Sequence, residues 1–181
     1  MVKGSKILVT GGAGFIASNL MLRLQERGTQ IRTCQHENPL QIPTDDIEIV
    51  QADLRDLAAC HKIVEGIDMI FHCAANTSGA AVMATTPLVH VTPNVVMNAH
   101  LLEAAYEAGT KKFVFISSGA AYPPTGDRPV REEEMLDANP VDVYYPVAWM
   151  KRYTEILCRT YASKIREPMS TLVVRPSNIY G

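Results

Sequence analysis

Thr10-Gly11-Gly12-Ala13-Gly14-Phe15-Ile16-Ala17 is the stretch on which the fold of this 181-residue chain turns. The run that leads into it, Lys6-Ile7-Leu8-Val9-Thr10, is short and apolar, as a buried strand is. Behind it, Ile16, Leu20 and Leu24 recur at helical spacing until Gly28 closes the segment. Glycines between a strand and a helix have a physical use. Gly11 permits the tight turn, and Gly14 lets the backbone come close to an anion. The free N–H groups of the helix, beginning at Phe15 and Ile16, then face that charge. A valine at Gly11 is expected to fill the anion's approach.

Outward from this unit the same alternation repeats. Gln30–Cys34, Ile47–Val50, Asp68–Cys73, Phe113–Ser117 and Thr171–Arg175 are predicted strands. Leu57–Val64 is a predicted helix, as is Asn94–Ala108, with Val95, Ala99, Leu102 and Tyr106 on one face. Pro146 starts a further helix, along which Trp149, Tyr153, Ile156 and Thr160 share a face. Glu37–Asp46 reads as loop, Ala74–Pro93 as the least regular stretch, and Tyr122–Pro140 as a polar loop with four prolines. Strand, helix, strand in this rhythm means parallel pairing through right-handed crossovers. The expected fold is α/β, a Rossmann-type doubly wound parallel sheet in three αβα layers, with strand order 3-2-1-4-5-6.

Composition narrows the function classes. The chain is 47% hydrophobic and 20% charged, with a net charge of −2, which gives no electrostatic reason to expect nucleic acid or an anionic membrane. No apolar run approaches the ~20 residues of a membrane span, and Met1–Lys6 lacks the hydrophobic stretch of a signal peptide. A cytoplasmic location is therefore expected. Cys34, Cys60, Cys73 and Cys158 are scattered, with no CxxC pair, and are read as reduced structural thiols. The five histidines form no HxxxH or HExxH group, so no metal site is expected.

With these segments placed, a resemblance becomes specific. The chain is similar to the extended short-chain dehydrogenase/reductase family, which includes NAD-dependent nucleotide-sugar epimerases and dehydratases. Thr10–Ala17 resembles its TGGxGFIG and Asp53-Leu54-Arg55-Asp56 its DLRD, whose Asp and Leu flank the adenine. Phe71-His72-Cys73-Ala74-Ala75 resembles FHxAA, on the nicotinamide ribose side, and Asn94-Val95 matches in order and spacing. Phe113–Ser118, with Ser117, also matches, and Arg175-Pro176-Ser177-Asn178-Ile179-Tyr180-Gly181 resembles RPxNxYG.

The resemblance implies a Ser or Thr, a Tyr and a Lys at the reaction centre. The Tyr moves the proton of a sugar hydroxyl while hydride moves to or from the nicotinamide; the Lys bonds the cofactor ribose and lowers the Tyr pKa. Ser118 holds the Ser position, with strand-end capping as its plainer role. Lys151 and Glu155 resemble the YxxxKxxxE helix, with a surface pair as the plainer reading. Yet Val147 stands four residues before Lys151, where the Tyr belongs. Tyr144 and Tyr145 are seven and six residues back. Either one of them substitutes through irregular backbone, Tyr145 being the candidate, or the usual base is absent.

At the end of the second strand the family's Asp is replaced by Gln35, followed by His36. A neutral Gln neither repels nor attracts a 2′-phosphate, so NAD is the expected cofactor with NADP open. Ala17 for the third glycine adds one methyl and is expected to be tolerated. Residues 1–181 are read as one NAD(P)-binding domain, without the C-terminal part with which the family binds its nucleotide-sugar. Exposed apolar surface is expected where that part packs, and a homodimer through the two helices that begin near Asn94 and Pro146. Two readings stand: an NAD(P)-dependent nucleotide-sugar epimerase/dehydratase-like oxidoreductase, or a catalytically silent dinucleotide-binding module. A ligand-free remnant is a third.

Overall fold

The computed structural model describes residues 4–77, 82 and 85–180. Gly181 of the last motif, Met1–Lys3 and part of the Ala74–Pro93 stretch therefore lie outside the described residues. The elements in order are β1 (Lys6–Thr10), α1 (Phe15–Gln25), β2 (Gln30–Gln35), β3 (Ile47–Gln51) and α2 (Leu57–Val64). They continue with β4 (Met69–His72), α3 (Leu88–Glu107), β5 (Lys112–Ile116), α4 (Tyr145–Ser163) and β6 (Ser170–Val174). All pairings are parallel, and the sheet order is β3-β2-β1-β4-β5-β6. The doubly wound sheet expected from sequence is the one observed, with strand limits shifted by about a residue.

Side-chain alternation assigns the two faces. Ile7 and Val9 of β1 pack with Ala17, Met21 and Leu24 of α1, while Leu8 points to the opposite face among residues of α2, α3 and α4. The methyl of Ala17 is fully enclosed between α1 and β1, at 1% exposure. Arg32, inside β2, gives Nη1 to the carbonyls of Ile63 and Glu65 at 2.9 Å each, where the C-terminal end of α2 needs donors.

Two segments depart from expectation, and a third adds a direction to it. α3 begins at Leu88, six residues before the predicted Asn94, and carries Pro93 inside it. The proline costs the one hydrogen bond its nitrogen cannot donate, while buried His90 and Asn94 hold the turn on either side. The 122–140 loop contains a 3₁₀ turn, Glu132–Leu136, anchored by buried Met135. Glu134 there accepts from the Arg131 N–H at 2.7 Å. In α4, the face read from the sequence points outward. Trp149, Tyr153 and Ile156 are exposed, whereas Ala148, Met150, Arg152, Thr154, Glu155 and Cys158 are buried.

Candidate dinucleotide site

Gly11 takes φ +73°, and a Cβ built on it would lie 2.7 Å from Ala74 Cα and 2.8 Å from Ala74 N. Gly11 therefore lets β1 turn directly against the end of β4. This corrects the expected reason for excluding valine: the side chain would strike Ala74, not a ligand. Gly14 is the outward one. It is exposed, its φ is −85°, and it caps α1 with no side-chain bond to the helix N–H groups. No acid occupies the first turn of α1, so the N–H groups of Phe15 and Ile16 present an uncompensated partial positive charge. A turn with this shape accepts a pyrophosphate.

Behind the turn runs a buried polar chain. The Ala74 N–H donates to Thr10 Oγ1 at 3.1 Å, and that hydroxyl pairs with His72 Nδ1 at 2.8 Å. His72 Nε2 lies 2.8 Å from Asn98 Oδ1, and Asn98 Nδ2 donates to Thr154 Oγ1 at 2.9 Å. Thr154 in turn donates to the Met150 carbonyl at 3.1 Å. Because Asn98 Oδ1 only accepts, Nε2 carries the ring proton and Nδ1 accepts from Thr10. Burial pushes His72 down to about 4, so the ring is neutral at ordinary pH.

At the end of β2, Gln35 is half-buried and His36 exposed. Arg55 grips the Asp53 carboxylate with Nε and Nη2, at 2.6–3.0 Å. That guanidinium holds Asp53 down to about 2. His36 Nε2 is 3.5 Å from the same carboxylate. The Leu54 side chain is buried in the core, and its carbonyl accepts from Cys60 Sγ at 3.2 Å. Arg32, turned onto α2, is not placed to meet a phosphate here.

A second group of residues comes together from β4, α3, β5 and α4. Asn94, 2% exposed, holds Asn76 by both backbone groups: Asn76 N–H donates to Oδ1 at 2.8 Å and Nδ2 donates to the Asn76 carbonyl at 2.9 Å. It thereby fixes the segment after Cys73, Ala74 and Ala75. Ser118 Oγ accepts from the Ala120 N–H at 3.1 Å, which caps the short turn that follows, and its hydroxyl hydrogen can still donate. Lys151 Nζ donates to the Ile116 carbonyl at 2.8 Å and sits 4.8 Å above the Phe115 ring. Burial lowers it to about 8.

Glu155 is not the surface partner of Lys151. It is buried, accepts from Ser117 Oγ, and takes Arg175 Nε and Nη2 at 2.7–3.0 Å. Arg175 also donates to Tyr122 Oη at 2.8 Å. Pro176 accepts the Gly119 N–H at 2.8 Å, and Asn178 is exposed beyond it.

Val147 and Lys151 line one small pocket of about 40 Å³, together with Ala75, Asn76, Thr77, His90, Asn94 and Met150. Tyr145 packs edge-on against Trp149, ring centroids 6.2 Å apart, two residues round the helix from Val147. Tyr144 is exposed. His90, in the stretch predicted to be irregular, also borders this pocket and is not among the expected site residues. Its four-residue spacing to Asn94 was the signal available.

Such a fold, with a glycine turn under the N-terminus of α1 at the C-terminal ends of the strands, defines a dinucleotide-binding protein. The chain matches the NAD dependent epimerase/dehydratase family over residues 7–181, and it belongs to that family. The 3 beta-hydroxysteroid dehydrogenase/Delta 5-->4-isomerase of Mycobacterium tuberculosis is 31% identical, over 97% of this chain and 47% of that protein. GDP-mannose 3,5-epimerase of Arabidopsis thaliana is 30% identical, again over 97% and 47%. Among solved structures, the UDP-glucose 4-epimerase of Thermotoga maritima with UDP-glucose is 27% identical with a TM-score of 0.78, covering 97% of this chain and 56% of that one. The chain spans about half the length of the curated relatives it matches. These relatives bear the names of enzymes, which does not favour the silent-module reading.

Proposed function

We propose that residues 1–181 form the NAD(P)-binding domain of an oxidoreductase that acts on a nucleotide-sugar, in the manner of the family's epimerases, dehydratases and reductases. The observation that carries this is the glycine turn. Gly11 seats β1 against Ala74, and Gly14 leaves the first N–H groups of α1 open to an anion. In this reading the pyrophosphate lies at Gly14, Phe15 and Ile16, and the adenosine at Gln35, His36, Asp53 and the Leu54 backbone. The nicotinamide half lies at Cys73, Ala74, Ala75, Ser117, Ser118, Lys151, Pro176 and Asn178, with Asn94 supporting that wall.

When bound, the dinucleotide takes up or returns a hydride. The residues of the chain hold and orient it. Lys151, anchored on Ile116, brings a positive charge to the ribose side, and the Ser118 hydroxyl can donate to a substrate oxygen. NAD is the proposed cofactor; neutral Gln35 also admits NADP, since no carboxylate there repels a 2′-phosphate. The names of the relatives support a nucleotide-sugar more often than any other substrate.

A homodimer is supported by the apolar stripe of Trp149, Tyr153 and Ile156 on the outer side of α4. Four unpaired cysteines fit a reducing, cytoplasmic setting, and among the described residues no helix is long and apolar enough to cross a membrane. NADH fluorescence tests the proposal: emission should rise on mixing with the chain and fall again when NAD displaces it. Unaltered NADH emission with no competition would count against it.

A further inference from the structure

We propose that Asn98 and Thr154 are positioning residues for Lys151, an inference that rests on the dinucleotide-binding reading above. They close a one-way hydrogen-bond chain that ties the backbone of Ala74 to the helical turn carrying that lysine. Lys151 needs such support. Val147, one helical turn before it, presents an isopropyl group with no polar atom to steady the ammonium. Lys151 Nζ instead donates to the Ile116 carbonyl at 2.8 Å and lies 4.8 Å from the centre of the Phe115 ring. Both contacts are with β5, so the place of the ammonium depends on how α4 is seated over that strand.

The sense of the chain is forced from its far end. The Met150 carbonyl only accepts, so Thr154 gives it its one hydrogen, and Thr154 Oγ1 can then only accept from Asn98 Nδ2. That turns Asn98 Oδ1 toward His72, whose Nε2 must donate and whose Nδ1 must accept from Thr10. Thr10, its hydrogen spent, accepts from the Ala74 N–H. Asn98 Nδ2 also lies 3.7 Å from Met150 Sδ. The Asn98 amide thus grips both ends of the turn Met150–Thr154, within which Lys151 is the second residue.

Thr10, His72, Asn98 and Thr154 are all buried, so a lost link is not made good by solvent. His72 adds a second tie, since its ring meets the same Phe115 ring, centroids 6.0 Å apart. One end of the chain is therefore the Ala74 backbone, against which Gly11 is seated, and the other is the turn that bears the ammonium. A shift of that turn by a fraction of an ångström moves the charge away from the ribose it is proposed to meet.

Two measurements on the full chain test this. In NAD titration, Thr154→Val keeps the branched shape, removes the hydroxyl and should weaken binding about fivefold to tenfold. Thr154→Ser restores the hydroxyl and should stay within about twofold of wild type. In a Lys151→Met background Thr154→Val should cause no further loss, because the residue through which it acts is gone. A full additional loss there, equal losses in the Val and Ser variants, or unchanged affinity in Thr154→Val overturns the proposal. Long-range 1H–15N NMR of histidine-labelled wild-type protein should show neutral His72 protonated on Nε2. Protonation on Nδ1 overturns the proposal with no cofactor present, whether or not Thr154→Val folds. Failure of the wild type to bind NAD or NADP is a separate result, and overturns the dinucleotide-binding reading itself.

Discussion

A Cβ on Gly11 would sit 2.7 Å from the Cα of Ala74, whereas one on Gly14 would meet nothing closer than the Gly11 carbonyl oxygen at 3.1 Å. The two glycines therefore do different work within one turn. Gly11→Ala forces a side chain into positive φ and against backbone, and should cost about 3 kcal/mol of stability. In a chain of this size that lowers Tm by roughly 10 °C. Gly14→Ala should leave Tm within a few degrees and weaken NAD about tenfold, because the methyl stands where the anion approaches. Thermal unfolding and NAD titration of both variants separate the two effects.

Acid should act through His72. Its folded-state pKa, about 4, lies below the ordinary 6.5, so between these values the unfolded chain binds a proton that the folded one refuses. The stability contributed by neutral His72 is complete above pH 6.5 and is lost as pH falls toward 4. The loss amounts to about 3 kcal/mol. Urea midpoints at several pH values should show this slope, and His72→Gln should flatten it.

The Glu155–Arg175 pair joins α4 to the end of β6 with both partners largely enclosed. Glu155→Gln leaves the guanidinium without its counter-charge and should destabilise by about 3 kcal/mol. Glu155→Gln combined with Arg175→Met should recover much of that loss, as measured by denaturant unfolding, because the uncompensated charge is gone. Additive losses would show that the pair contributes through separate contacts.

Lys151 is costly to the fold, since burial lowers it to about 8. Lys151→Met removes the buried charge and should leave stability equal or up to about 1 kcal/mol higher. The same variant should weaken NAD measurably. A loss of stability with unaltered NAD affinity would place Lys151 among purely structural residues.

The sheet was legible because its strands are short apolar runs separated by glycine stops, so local chemistry and topology agree. β1, the glycine turn and the strand order follow from residues near in sequence. Two features depended on distant packing. α3 carries Pro93, a residue that argues locally against helix, and the turn survives because His90 and Asn94 are tied to the segment after β4. α4 buries Thr154 and Glu155, which find partners on Asn98, Ser117 and Arg175, and it exposes Trp149. It also buries Arg152, whose Nε donates to the Ala121 carbonyl while Nη1 and Nη2 have no hydrogen-bond partner among the described residues. Periodicity reports an apolar face and not which way it points. Of the site, the motif residues could be located in advance, and so could the absence of a Tyr before Lys151. That His90 borders the same pocket could not, since their meeting is made by two helices far apart in sequence.

Calorimetric titration of the chain with NAD and, separately, NADP tests the central claim most directly. The glycine turn predicts saturable binding of at least one dinucleotide with a micromolar Kd, weakened in Gly14→Ala. Absence of binding heat with both, from a chain that unfolds cooperatively, would contradict it.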